Sequence, residues 1–363
     1  MKFSSEASVF SVSKILLSVL WGVFSALPCS AQAPAKKFIE WSAVEPSVDY
    51  LVAHPEEIKT LPFDGFVFRV TTPAGEQMMW EMWGKRQWTE AEFEHCVENM
   101  RSIDFGQLTD RFLRVNVTPG DVDWLNDRAF AVVVENFRVA AKLAKRMGCK
   151  GILFDNEQYV TRLFDSEAVA KTSKASRECI DCMVRQRGCE WMRAINKEFP
   201  DITILMTFGY RAAKAEDDPK FRVGNYALLA PFLDGALTAS DPRTRFIDGW
   251  EYSYGYKEKQ QFAEARDIIK RQSLCWTTSP SKYQRQFKAA FAVWTDYELK
   301  GTEWSQVDFS KNFHTPQQFE QRLRFAQDCS DEYVWIYSGR PNWWTRKQLP
   351  VEYIHALQRV RNE

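Results

Sequence analysis

Short apolar runs alternate with longer amphipathic stretches along almost the whole chain, and no other feature limits the fold as much. The runs read as strands at Phe38 to Trp41, Gly65 to Val70, Phe112 to Val117, Gly151 to Phe154, Ile202 to Thr207, Leu233 to Thr238, Ala289 to Trp294 and Tyr333 to Tyr337. Between them lie helical patterns at Glu90 to Ile103, Phe130 to Met147, Cys179 to Phe199, Lys257 to Arg271 and Pro316 to Gln327. Thr315-Pro316 supplies an N-cap with proline at the first helical position, and Gly148 supplies a stop after Met147. Neither a β-sandwich nor a helical bundle produces such a series. An open doubly wound sheet would, but its nucleotide signatures, G-x-G-x-x-G and G-x-x-x-x-G-K-[ST], are missing. Eight strands with intervening helices predict an α/β chain folded as one (β/α)8 TIM barrel over residues 34–363. Ser240 to Tyr256 then reads as a long loop on its functional face.

The first 33 residues stand apart from this pattern. Lys2 and Lys14 precede an apolar stretch from Ile15 to Leu27, and Ala31-Gln32-Ala33 matches a cleavage site, so a secretory signal peptide is expected. Cys29 follows Leu27-Pro28, a poor context for lipid attachment. The expected mature protein begins near Pro34, is exported to the periplasm or the extracellular space, and has no integral membrane segment.

Lys plus Arg equals Asp plus Glu at 48 each, which argues against nucleic acid as a partner. Aromatic residues make up 14% of the chain, with 14 Trp, more than a core needs, and flat apolar faces suit sugars. Without Cys29, seven cysteines remain, at 96, 149, 179, 182, 189, 275 and 329. Cys179-x-x-Cys182 has no second such pair and no histidine close by, so it reads as structural. Cys182 and Cys189 on one helix would sit ~10 Å apart, too far for a disulfide. The four histidines, at 54, 95, 314 and 355, fall away from strand ends, so neither a metal nor another cofactor is expected.

In a barrel the working residues gather where strands reach the C-terminal face. The segment Gly151-Ile-Leu-Phe-Asp-Asn-Glu-Gln-Tyr159 ends an apolar strand in two carboxylates and a ring. Asp155 and Glu157, two apart, point the same way. The other strand ends offer Trp41, Arg69, Asn116, Tyr159, Tyr210, Trp250, Glu251, Tyr252, Tyr254, Trp294, Asp296, Tyr337, Trp343 and Trp344. Such a lining suits a carbohydrate, with rings for pyranose faces, Arg and Asn for hydroxyls, and carboxylates for acid and base work. Structural roles compete for several of them. Asp155 could cap the next helix or pair with Arg162, and Trp343-Trp344 could clamp the closing loop.

These residues resemble the glycoside hydrolase barrels in two local ways. Asn156-Glu157 at the end of the fourth strand is similar to the acid/base pair of the large retaining superfamily. That resemblance implies a nucleophile at the end of the seventh strand, where Ala292-Val-Trp-Thr-Asp-Tyr-Glu298 offers Asp296 or Glu298 in place of the usual glutamate. Asp155-Asn156-Glu157 followed by Tyr159 also looks like the D-x-E ending of chitinase-like enzymes, although Gly151 and Leu153 show that the longer run of aspartates is absent. Both forms imply cleavage of a glycosidic bond with Glu157 as the acid. Glu251 and Asp296 rank equally for the second carboxylate, ahead of Asp155, which would serve an N-acetyl sugar. The alternative is a barrel that binds carbohydrate without cleaving it.

Overall fold

Nine parallel segments form one sheet: β1 (Lys37–Ser42), β2 (Gly65–Phe68), β3 (Asp110–Asn116), β4 (Gly151–Asp155), β5 (Thr203–Met206), β6 (Arg245–Asp248), β7 (Phe287–Ala289), β8 (Phe291–Trp294) and β9 (Tyr333–Ser338). The structure is a computed structural model that describes residues 36–217 and 226–363; the leader-like residues 1–33, including Cys29, lie outside the described residues. Strand order is β7-β6-β5-β4-β3-β2-β1-β9-β8. Only Ala290 separates β7 from β8, and its N–H bonds to the Asp248 carbonyl at 2.8 Å, continuing the ladder to β6. β8 then pairs with β9. The two segments are one bent strand, and the sheet closes into an eight-stranded parallel barrel, as the alternation predicts.

Strands of a closed parallel sheet are buried on both faces, which explains their near-continuous apolar runs. Ile39, Val67, Phe112, Leu153, Leu205 and Ile247 point inward and fill the barrel axis. Their neighbours Phe38, Phe66, Ile152, Ile204 and Phe246 point outward and pack under the helices. Four predicted helices recur with shifted ends, at Asp127–Arg146, Arg177–Glu198, Lys259–Lys270 and Pro316–Cys329. The first predicted helix is divided into a 3-10 turn, Glu90–Phe93, and the α-helix Glu94–Ser102. Thr315 caps its helix reciprocally with Gln318, and Gly148 takes φ +69° after Met147.

One strand is corrected. Leu233 to Thr238 belongs to the helix Leu229–Ala239, and the true sixth strand, β6, lies inside the stretch read as a loop. That helix is apolar on nearly every side because it presses against Arg177–Glu198 with backbones in contact. A Cβ on Gly188 would lie 2.1 Å from the Phe232 carbonyl oxygen, and one on Gly235 would lie 1.9 Å from that of Arg185. Short apolar runs cannot be assigned to helix or strand by periodicity alone. β6, Arg-Phe-Ile-Asp, is only four residues long and charged at both ends, so it carries no apolar run to recognise.

All seven described cysteines are free, and Cys182 and Cys189 share one helix. Among the described residues no helix is long and apolar enough to cross a membrane.

Candidate active site

β4 delivers Asp155 to the barrel mouth, where it is fully buried. Its Oδ2 accepts from Arg114 Nη2 at 2.7 Å and from the Tyr159 hydroxyl at 3.0 Å, and its Oδ1 accepts from the Glu157 N–H at 3.2 Å. Arg114 stands on β3 and donates through its other nitrogen to Glu45 Oε2 at 3.1 Å. Its guanidinium lies between two indoles, 5.2 Å from the Trp41 ring and 5.4 Å from that of Trp80. Burial opposes its charge, but Asp155 and Glu45 outweigh burial and raise its pKa. The Asp155 side chain is therefore fully engaged.

Asn156 is a clamp. Its Nδ2 donates to the Phe208 carbonyl at 2.8 Å, while its Oδ1 accepts from Thr207 Oγ1 at 2.8 Å and from the Phe208 N–H at 3.1 Å. The end of β4 is thereby tied to the end of β5, and the next side chain, Glu157, is left over the mouth.

The partner of Glu157 comes from β6. Trp250 takes the left-handed region at φ +44°, rare for a bulky residue and a sign of local strain, and so turns the chain after Gly249. The turn is held by Trp250 N–H to Asp248 Oδ1 at 3.2 Å and Glu251 N–H to the Thr207 carbonyl at 3.2 Å. Glu251 then reaches hydrogen-bonding distance of Glu157. Burial raises the pKa of both carboxyls. For Glu157, Asp155 adds to the rise, while the neighbouring Glu251 and Tyr159 side chains and the charge of Arg114 oppose it. For Glu251, the Glu157 charge and the hydrogen bond to it push the pKa up further, against a hydrogen bond from Tyr254. Glu251 Oε2 has no donor of its own. Two carboxyls this close hold one proton between them, and it belongs to the pair. One member can donate a proton while the other acts as an anion.

A cavity of ≈ 390 Å³ opens over this pair, within the ~300–1,000 Å³ typical of ligand sites. Its aromatic wall is continuous: Trp41 meets Tyr337 at 5.5 Å, Tyr337 meets Trp294 at 4.9 Å, and Trp294 meets Tyr254 at 5.1 Å. Trp80 and Tyr159 close the opposite side, 5.9 Å apart. Among the described residues no group of three or more His, Cys, Asp or Glu could hold a metal ion.

No protein-family model and no curated protein matches the sequence. Among solved structures, the chain is similar to PbGH5A, a glycoside hydrolase family 5 enzyme from Prevotella bryantii B14, at 12% identity over 89% of this chain and 95% of that one, with TM-score 0.48. It is similar to a broad-specificity GH5-4 endoglucanase from Bacteroides salanitronis at 12% identity, 85% of each chain and TM-score 0.46. It is also similar to endonuclease IV from Thermus thermophilus at 11% identity, 90% of this chain, 98% of that one and TM-score 0.41. These likenesses concern the barrel alone.

The strand-end residues divide between the cavity and its supports. Glu157, Glu251, Trp41, Tyr159, Tyr254, Trp294 and Tyr337 line the cavity. Asp155 sits beneath it. Arg69 turns to Glu45, bonding its backbone carbonyl and lying 4.0 Å from its carboxylate. Asn116 is fully buried, with Oδ1 on the Thr118 N–H at 2.9 Å. Asp296 lies outside the cavity lining, and its acceptors are taken by Trp294 Nε1 at 2.8 Å and the N–H groups of Gly339 at 2.8 Å and Arg340 at 2.9 Å. Glu298 pairs with Arg340. Tyr210 packs on Tyr283 and Phe287 and donates to Asp234 at 2.9 Å, so it belongs to the layer outside the barrel. Trp250 donates to the Tyr256 hydroxyl at 2.9 Å, and Tyr252 packs on Trp250 and Phe208, both behind the lining. Trp343 is core, edge-on to Phe63 at 5.1 Å and bonded to Ser338 at 2.8 Å, while Trp344 donates to Glu40 at 2.9 Å.

Sequence reading missed Arg114 and Trp80. Arg114 had a signal, since it shares the inward face of its strand with Phe112 and Asn116, and a cation there requires carboxylates. Trp80 lies in a 3-10 turn, Met78–Glu81, without any strand-end register to mark it.

Proposed function

We propose that this chain is a glycoside hydrolase that cleaves an oligo- or polysaccharide with Glu157 and Glu251 as its carboxyl pair. The observation that carries the reading is the meeting of these two side chains, both in surroundings that raise the carboxyl pKa, in a cavity walled by aromatic rings. Retaining glycosidases hold their carboxyls ~5–5.5 Å apart, and inverting ones ~6.5–9.5 Å to admit a water, so a hydrogen-bonded pair favours retention. Glu251, in the more apolar setting, holds the proton and serves as the acid. Glu157, next to the Tyr159 hydroxyl and the Arg114 charge, serves as the anion that attacks the anomeric carbon. This reverses the role that sequence reasoning gives Glu157. Asp155 is held by Arg114 and Tyr159, which supports a positioning role over direct contact with an acetamido group. The leader-like residues 1–33 support export of the mature enzyme.

Release of reducing ends from a polysaccharide panel tests the reading. Glu157→Gln and Glu251→Gln should each lower the rate by at least ~10²-fold. Aryl glycosides with good leaving groups, which do not need the acid, should restore activity to Glu251→Gln and not to Glu157→Gln. The opposite restoration exchanges the two roles, and undiminished cleavage by both variants removes the pair from the mechanism. Absence of cleavage with retained sugar binding would favour the non-catalytic carbohydrate-binding barrel.

A further inference from the structure

The segment that carries Glu157 has a second side. Tyr159 and Val160 rise to the surface, 48% and 70% exposed, and just beyond them Thr161, Arg162 and Leu163 wall a separate cavity of ≈ 350 Å³. The stretch Gly120–Trp124 after β3 and the helix Ser166–Ser173 form its other sides. Its volume approaches the ≈ 390 Å³ of the catalytic cavity. Tyr159 borders the first cavity and Thr161 the second, so their Cα atoms lie at most ~7 Å apart. A single ridge divides the two spaces. Its crest is apolar: Tyr159 is braced by Trp80, and Val160 is bare.

The second cavity combines an apolar floor with charged groups at its rim. Val122, Leu163 and Trp124 give it an apolar floor, fixed by Trp124 Nε1 donating to the Leu163 carbonyl at 2.7 Å. Arg162 stands at one lip, exposed, and its side chain makes no hydrogen bond or ion pair among the described residues. Asp121 stands on the opposite wall, exposed and 3.7 Å from Lys85. An apolar floor takes the C–H face of a pyranose, while a guanidinium and a carboxylate at the rim take its hydroxyls.

We propose that this cavity is a distal subsite for a further sugar of the same glycan, which crosses the Tyr159–Val160 ridge on its way from the catalytic cavity. The proposal rests on the hydrolase reading and makes the enzyme selective for long chains. Two variants test it: Arg162→Ala removes the rim donor, and Ala168→Phe fills the cavity from the helix. With a soluble hexasaccharide and a short aryl glycoside as substrates, the ratio of long to short KM should rise about tenfold in each variant, with the ratio of kcat values unmoved. An unchanged KM ratio in both variants overturns the subsite. If the wild type cleaves nothing, the hydrolase reading fails separately, and titration with the same hexasaccharides then decides. Binding weakened about tenfold by both variants sustains the subsite, while equal affinity, or no binding by the wild type, overturns it.

Discussion

Glu40 shows how far one buried carboxyl shapes the stability of the protein. It faces outward from β1, accepts from Ser42 and from Trp344 Nε1, and is fully buried. Burial pushes its pKa from 4.5 up to about 7, against those two hydrogen bonds. A raised carboxyl pKa means that the fold favours the protonated form. The stabilisation is complete below the unfolded value and is lost as pH rises through about 7. Glu40→Gln should therefore match the wild type near pH 4 and exceed it above neutrality by up to ~3 kcal/mol in denaturant unfolding. A constant difference across that range would refute the assignment. Arg114 makes the opposite case, because its removal strands the buried Asp155 without a cation and leaves Glu45 with Arg69 alone, 4.0 Å away. Arg114→Met should cost about 3–5 kcal/mol of stability at neutral pH, measured the same way. At this scale the sequence was legible where a strand end announced its residues, as at Glu157 and Trp294. It was not legible for Asp296, where the same register carries a turn, because only tertiary contacts distinguish a carboxylate that bonds N–H groups from one that faces a ligand.

The misread pair of elements, β6 and the helix Leu229–Ala239, have one cause in common. Both depart from the usual division of labour, in which helices show one apolar stripe and strands a continuous apolar run. The helix is apolar all round because Gly188 and Gly235 let two backbones touch, leaving no solvent face between them. Gly235→Ala must drive a methyl into the Arg185 carbonyl and should lower stability by ~3 kcal/mol, visible as a fall in the thermal midpoint. An unaltered midpoint would show that the helices are free to separate. Elements with ordinary patterning, such as Asp127–Arg146 and Pro316–Cys329, were recognised because caps and periodicity agreed.

For the whole molecule, the barrel was readable because eight strands and their helices repeat at intervals that few architectures accommodate, even with one strand misplaced. The cysteines report on the same architecture. Cys179, Cys182 and Cys275 are exposed, whereas Cys96, Cys149 and Cys329 are buried. Burial holds the Cys96 thiol at about 11 and that of Cys149 at about 12. A thiol reagent should thus label the exposed set promptly in the native protein and Cys96 and Cys149 only after unfolding. Prompt labelling of Cys149 would contradict the packing beneath the helices. Arg114 has a further consequence. One guanidinium joins Glu45 after β1, Asp155 on β4, and the indoles of Trp41 and Trp80, so a substitution at any of the five loosens the others. These residues form a fingerprint that stretches from 41 to 155 in the chain yet meets at one point in space. Where overall identity falls to the level of chance, distant kin of this protein should be sought by that five-part pattern, with the Glu157–Glu251 pair as its confirmation.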